Sequence, residues 1–121
     1  MQVFYERHLC RVTPFPDELQ RSLASIAAEP TVYHTMNGPS EFHVVGTIRD
    51  WTIEDRLSRI VAPTLVISGR YDEATEACVR PYAERIKGAR WVVFENSSHT
   101  PHIEETEAVM RTVGDFLAPL D

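Results

Sequence analysis

The stretch APTLVISG, residues 62–69, limits what this chain can fold into more than any other segment does. Its middle is an uninterrupted apolar run, closed by proline on one side and glycine on the other. A run without polar alternation reads as a strand covered on both faces, which is the habit of parallel sheets. A parallel neighbour requires a crossover, usually helical. The sequence supplies one: a helical pattern from about Thr75 to Lys87 with Ala77, Val79, Tyr82, Ala83 and Ile86 inward, stopped by Gly88. A second strand, ARWVVFE, follows at 89–95, and then the loop NSSHTPHIEE. A last helix runs from about Pro101 or Ile103 to Leu117, with Val109, Val113, Phe116 and Leu117 on one stripe. The second half therefore reads β-α-β-α, an α/β arrangement with helices covering a parallel sheet. Two strands do not make a stable sheet by themselves, so the remaining strands are expected outside these 121 residues.

The first half is patterned differently. A helix is expected from about Pro16 to Ala28, with proline and Asp17 suiting its first turn and Leu19, Leu23, Ile26 and Ala27 on one face. Pro30 opens a short helix through TVYHTM that the pair Asn37-Gly38 ends. GPSEFHVVG reads as a loop with a short extended piece, and DWTIEDRLSRI as a short helix capped by Thr52. The expected division is a helical region over 1–50 and a sheet-forming region over 51–121.

Bulk properties exclude several classes. The net charge is −6, and the Lys and Arg are scattered rather than clustered, which argues against a nucleic-acid partner. An acidic balance mildly favours a cationic ligand. The two cysteines, Cys10 and Cys78, are expected to be free thiols in a reducing compartment. His8-x-Cys10 has no second ligand pair at suitable spacing, so neither a metal nor another cofactor is expected. The N-terminal MQVFYERHLCRV lacks an apolar core of signal-peptide length, and no stretch approaches a membrane span, so the expected place is the cytoplasm with no membrane partner.

Ligands of open parallel sheets gather at the carboxyl ends of the strands. Asp72 lies just past the first strand and His99 just past the second. A carboxylate that orients a histidine is the acid–base half of a hydrolytic triad, and the order acid then histidine is that of the α/β-hydrolases. Taken singly, Asp72 reads as a turn residue capping the next helix and His99 as a surface-loop histidine. Together, at matching strand ends before matching helices, they read as a pair. His102 is a competing candidate, but it falls at the first turn of the last helix.

Three stretches carry a resemblance: PTLVISGRYDEAT, FENSSHTPHIEE and, upstream, MNGPSEFHVVGTIRDWTIEDRLSRI. NGPSEF, GTIRDW and GRYDE, in this order and spacing, resemble the C-terminal part of proline iminopeptidases and the related tricorn-interacting aminopeptidases, serine peptidases with the α/β-hydrolase fold. The resemblance runs from about Phe4 to Leu117. It implies that Asp72 is the triad acid and His99 the triad histidine, and that residues 1–50 are part of a helical cap. It further implies that Glu41 and Glu73 hold the free α-amino group of a peptide or aminoacyl substrate. Two carboxylates beside the scissile bond select an N-terminal ammonium through charge-assisted hydrogen bonds that an internal amide cannot replace. Glu41 also reads as a solvated loop acid, and Glu73 as an acid favoured by a helix N-terminus. Phe42 and Tyr71 are candidates to line a pocket for a proline ring, while Tyr33, Trp51 and Trp91 read as packing residues.

The family's nucleophile motif, G-x-S-x-G at a strand-to-helix elbow, does not occur in these residues. GPSEF at 38–42 lacks the closing glycine and follows a helix, so Ser40 is not a candidate, and neither cysteine stands at an elbow. The chain is thus expected to be the C-terminal portion of such an enzyme and inactive alone. A companion chain with the first half, or a second copy, would be its partner. Two alternatives remain open: a different, esterase-like α/β-hydrolase, and a non-catalytic remnant serving as a binding or assembly module.

Overall fold

The computed structural model describes residues 1–120. In chain order the elements are α1 (Gln2–His8), α2 (Asp17–Ala28), α3 (Thr31–Met36), a 3-10 turn (Glu54–Arg59), β1 (Leu65–Gly69), α4 (Glu76–Arg85), β2 (Arg90–Phe94), α5 (Pro101–Glu104), α6 (Thr106–Leu117) and a terminal 3-10 turn (Ala118–Leu120). They fall into two compact units. One comprises residues 1–14 with the segment from Glu54 onward, and the other residues 15–53. The expected division at residue 50 differs from this in its first 14 residues, which pack with the second half of the chain.

β1 and β2 pair in parallel, from Leu65 opposite Arg90 to Gly69 opposite Phe94. α4 forms the crossover between them and packs on β1 and on the 3-10 turn. Leu57 of that turn and Ile86 at the end of α4 are buried there. The segment expected as a helix capped by Thr52 is a tighter turn beginning at Glu54, with Asp55 alongside in its first turn. Arg85 closes the packing by donating to the Glu54 carbonyl at 3.0 Å.

The apolar run of β1 is less covered than its sequence implies. Leu65, Val66 and Ile67 are half-buried, and of the strand only Ser68 and Gly69 are buried. In β2 only Phe94 is buried. A five-residue strand with a single partner leaves one edge and much of its surface without neighbours from this chain. The helix expected over 101–117 breaks at Glu105, whose φ of −131° lies outside the helical range. This break leaves α5 as one turn beginning at Pro101 and α6 as an amphipathic helix that buries Val109. α1 was not expected: its residues show no sustained apolar period.

The unit 15–53 holds α2 and α3 at the expected places. Asp17 and Glu18 stand in the first turn of α2, favourable at the positive end of its dipole. Gly38 takes a φ of 128°, a region where an L side chain is strained, and so lets the chain turn after α3. Val45 and Gly46 then donate to the Asn37 carbonyl at 3.0 and 2.9 Å, folding the loop back on the helix end.

Candidate active site

The site in the sheet-containing unit begins with a close approach. Gly69 ends β1 directly against the loop that follows β2: a Cβ there would stand 2.1 Å from the Ser98 carbonyl oxygen and 2.4 Å from that of Ser97. The absence of a side chain lets two backbone bonds join the loops, Arg70 N–H to Phe94 O at 2.9 Å and Tyr71 N–H to Ser97 O at 3.0 Å. The two segments carrying Asp72 and His99 are thereby registered before any side chain takes part.

Asp72 Oδ1 then accepts two donors. The Ala74 N–H lies at 2.8 Å, closing a local turn. His99 Nδ1 also lies at 2.8 Å. Asp72 is therefore a turn residue and a histidine partner at once, but it does not cap the next helix, whose N-cap is Thr75. The Asp72 side chain is 8% exposed and that of His99 46%, so the acid is enclosed while the ring reaches solvent. With Nδ1–H donated to Asp72, Nε2 is the nitrogen left to take a proton. The hydrogen bond that His99 donates to Asp72 raises the His99 pKa above the usual histidine value; burial opposes this, and the charges of Asp72, Glu73 and Glu104 reinforce it. Such a pair is equipped for general-base work near neutral pH.

Glu73 belongs to the same place. Its backbone N–H donates to the His8 carbonyl at 3.2 Å, and its charge acts on His99. Glu41 lies in the other unit, exposed, where it lines an apolar cavity of about 450 Å³ with Ile26, Val32, Tyr33, Met36 and Ile48. His102 lies within α5 and is exposed. Ser40 sits in a short turn, its Oγ 3.1 Å from His43 Nδ1, and not at a strand-to-helix elbow. One face of the Tyr71 ring is covered by the Arg11 guanidinium, 3.8 Å from its centroid, while the residue as a whole stays exposed. Trp91 acts as a packing residue and donates its indole N–H to Ser68 Oγ at 2.9 Å across the strands.

The sequence reading missed the part played by the N-terminal segment. His8 donates from Nδ1 to the Tyr71 carbonyl at 2.8 Å, so this ring tethers the acid loop. Thr100 Oγ1 donates to the Leu9 carbonyl at 3.1 Å, and Cys10 is fully buried. No local pattern announces these contacts, which join residues more than 60 positions apart. Ser97, Ser98 and Thr100 are buried polar residues satisfied by Glu105 and Glu104. Among the described residues no three His, Cys, Asp or Glu side chains cluster as metal ligands do. No helix among them is long and apolar enough to cross a membrane.

This arrangement has close relatives. A protein of Saccharolobus solfataricus named proline iminopeptidase is 40% identical over 114 residues, which is 94% of this chain and 36% of that protein. The crystal structure of proline iminopeptidase from Mycobacterium smegmatis superposes with a TM-score of 0.93 at 49% identity, covering 98% of this chain and 40% of that one. The crystal structure of VinJ gives a TM-score of 0.95, also at 49% identity, over 100% of this chain and 41% of the other. No protein-family model matches the chain. The chain thus spans well under half the length of each of these three relatives.

Proposed function

Since this chain belongs to the proline iminopeptidase family of α/β-hydrolases, spanning part of the length of its members, we propose that it supplies the acid–base pair of a serine aminopeptidase. The observation that carries this reading is the 2.8 Å contact of His99 Nδ1 with Asp72 Oδ1, at the carboxyl ends of two parallel strands. The substrate is a peptide or aminoacyl compound with a free N-terminal amine, proline being the preferred first residue. The serine comes from residues outside these 121, in the same protein or in a companion chain. Its hydroxyl attacks the carbonyl carbon of the first residue and its proton passes to His99 Nε2. Asp72 stabilises the imidazolium, which then protonates the departing amine. Water, deprotonated by the same nitrogen, releases the first residue from the acyl-enzyme. Glu41 and Glu73 hold the ammonium group, and the unit 15–53 is part of the cap.

The test is hydrolysis of proline and alanine naphthylamides by the chain alone and by the chain co-expressed with the N-terminal portion of a related iminopeptidase. Activity in the mixture only, abolished by His99→Ala, is the expected result. Glu41→Gln and Glu73→Gln separate an aminopeptidase from an esterase-like hydrolase. An aminopeptidase loses about 10-fold or more in kcat/KM when one charge-assisted contact to the ammonium is removed. An esterase-like enzyme acting on uncharged esters loses nothing. No hydrolysis in an assembled, folded mixture sinks the catalytic reading and leaves the chain a binding module.

A further inference from the structure

Around His99 lies a cluster that the acid–base pair itself does not use. Glu104, five residues further on, sits at the end of the single turn α5, which Pro101 begins. That turn carries its carboxylate back over the histidine loop. Oε2 accepts the Ser98 N–H at 2.9 Å and the Thr100 N–H at 3.3 Å, the two amides that flank His99 in the chain. Oε1 accepts the Ser98 hydroxyl at 2.9 Å and the Arg11 N–H at 2.8 Å. The Thr100 hydroxyl, 3.2 Å from Oε2, has one proton to divide between Glu104 and the Leu9 carbonyl. Each of these groups donates to the carboxylate. A carboxylate is acceptor-only, with room for about four hydrogen bonds, and bonds to it are roughly twice as strong as neutral ones. A glutamine of the same shape would turn its NH₂ on at least one of these donors.

The geometry points to Glu104 as a positioning residue: it fixes the backbone on both sides of His99 and ties that loop to the N-terminal segment, so that the ring stays on Asp72. Arg11 and Glu104 are 93 positions apart, and the bond between them makes residues 1–14 a structural support of the histidine loop. Glu105 does the same for the start of the loop, accepting the Asn96 N–H at 3.1 Å and the Ser97 hydroxyl at 2.6 Å. Glu104 is set apart because its donors bracket the histidine itself.

The inference rests on reading Asp72 and His99 as the working pair, but its test reads the ring and not hydrolysis, so the two can fail separately. The groups acting on that ring are Asp72, Glu73 and Glu104. In the unaltered chain, the Ser98 and Thr100 amides are expected to exchange with deuterium roughly 100-fold more slowly than free peptide. Nitrogen NMR of the imidazole is expected to show the Nδ1–H tautomer. In Glu104→Gln the tautomer becomes mixed, and the titration midpoint of His99 falls towards the ordinary histidine value. Glu107→Gln removes an equal charge from an exposed position in α6 and is expected to change neither. Free exchange of the two amides in the unaltered chain overturns the inference, even should E104Q fail to fold. So does an unchanged ring in folded E104Q, or an equal shift in the Glu107 variant.

Discussion

At the scale of the residue, Asp72 shows how one oxygen serves structure and chemistry together. Oδ1 holds the turn through Ala74 and the ring through His99. Asn at this position can keep the turn but not the charge, so Asp72→Asn should preserve the fold while weakening the hold on protonated His99. The sign of the pH effect follows from the direction of the shift. A histidine whose folded pKa is raised contributes stability that is fully present below its unfolded pKa and is lost as pH rises through the folded value. The gap in urea midpoint between the chain and its Asp72→Asn variant should therefore be wider at about pH 5.5 than at about pH 9, either side of the histidine range. The ring is nearly half exposed, so solvent screening keeps the difference small. A gap that is equal at both pH values would mean that the contact contributes no charge–charge stabilisation. Arg70, held by Glu95 and Glu76, is a contrasting case. Its pairs are exposed and screened by solvent, so their loss should leave the denaturant midpoint almost unchanged.

At the scale of the element, the site depends on how closely β1 and the loop after β2 approach. Gly69→Ala would drive a methyl group into two carbonyl oxygens, Ser98 O and Ser97 O, that are themselves part of the loop contact. Backbone cannot swing aside as a side chain can. The substitution should destabilise by about 1–3 kcal/mol and should loosen the His99–Asp72 contact, readable as a drop in the His99 titration midpoint. Leu57 in the 3-10 turn is a different kind of support, fully buried in a small core. Leu57→Ala should cost about 2–5 kcal/mol, measured by denaturant unfolding, with no direct effect on the ring. Helix α6 is anchored by Val109, while Met110 and Leu117 remain exposed, so its stripe is only partly used within this chain.

At the scale of the molecule, the core is thin. Cys10, Leu19, Leu57, Ile86, Phe94 and Val109 are the buried apolar side chains among the described residues, whereas Val45, Trp51, Val61 and Met110 are among the large ones left more than 60% exposed. Exposed apolar surface on this scale favours a partner. If a partner that supplies further strands binds the folded chain and not the unfolded one, stability must rise with partner concentration. At 100 times Kd the gain is about 2.7 kcal/mol. A thermal midpoint that climbs as the N-terminal portion of a related iminopeptidase is titrated in is the expected outcome. A midpoint independent of that portion but rising with the chain's own concentration would indicate self-association instead.

The sequence by itself determined the β-α-β-α order, the parallel pairing and the places of Asp72 and His99 directly after the two strands, because each is written in local signals. These are an unbroken apolar run, a helical period, and an acid or histidine directly after a strand. It also carried the motifs NGPSEF, GTIRDW and GRYDE, on which the resemblance to the family rests. Only the tertiary structure decided that residues 1–14 join the second half, that His8 and Arg11 brace the acid loop, and that Glu104 brackets His99. The contacts of His8 and Arg11 are a ring tether, a cation over an aromatic face and a backbone N–H on the Glu104 carboxylate, between segments far apart in the chain. Those of Glu104 with Ser98 and Thr100 span only a few residues, but they need the single turn α5 to bring the carboxylate back, and neither kind follows a period.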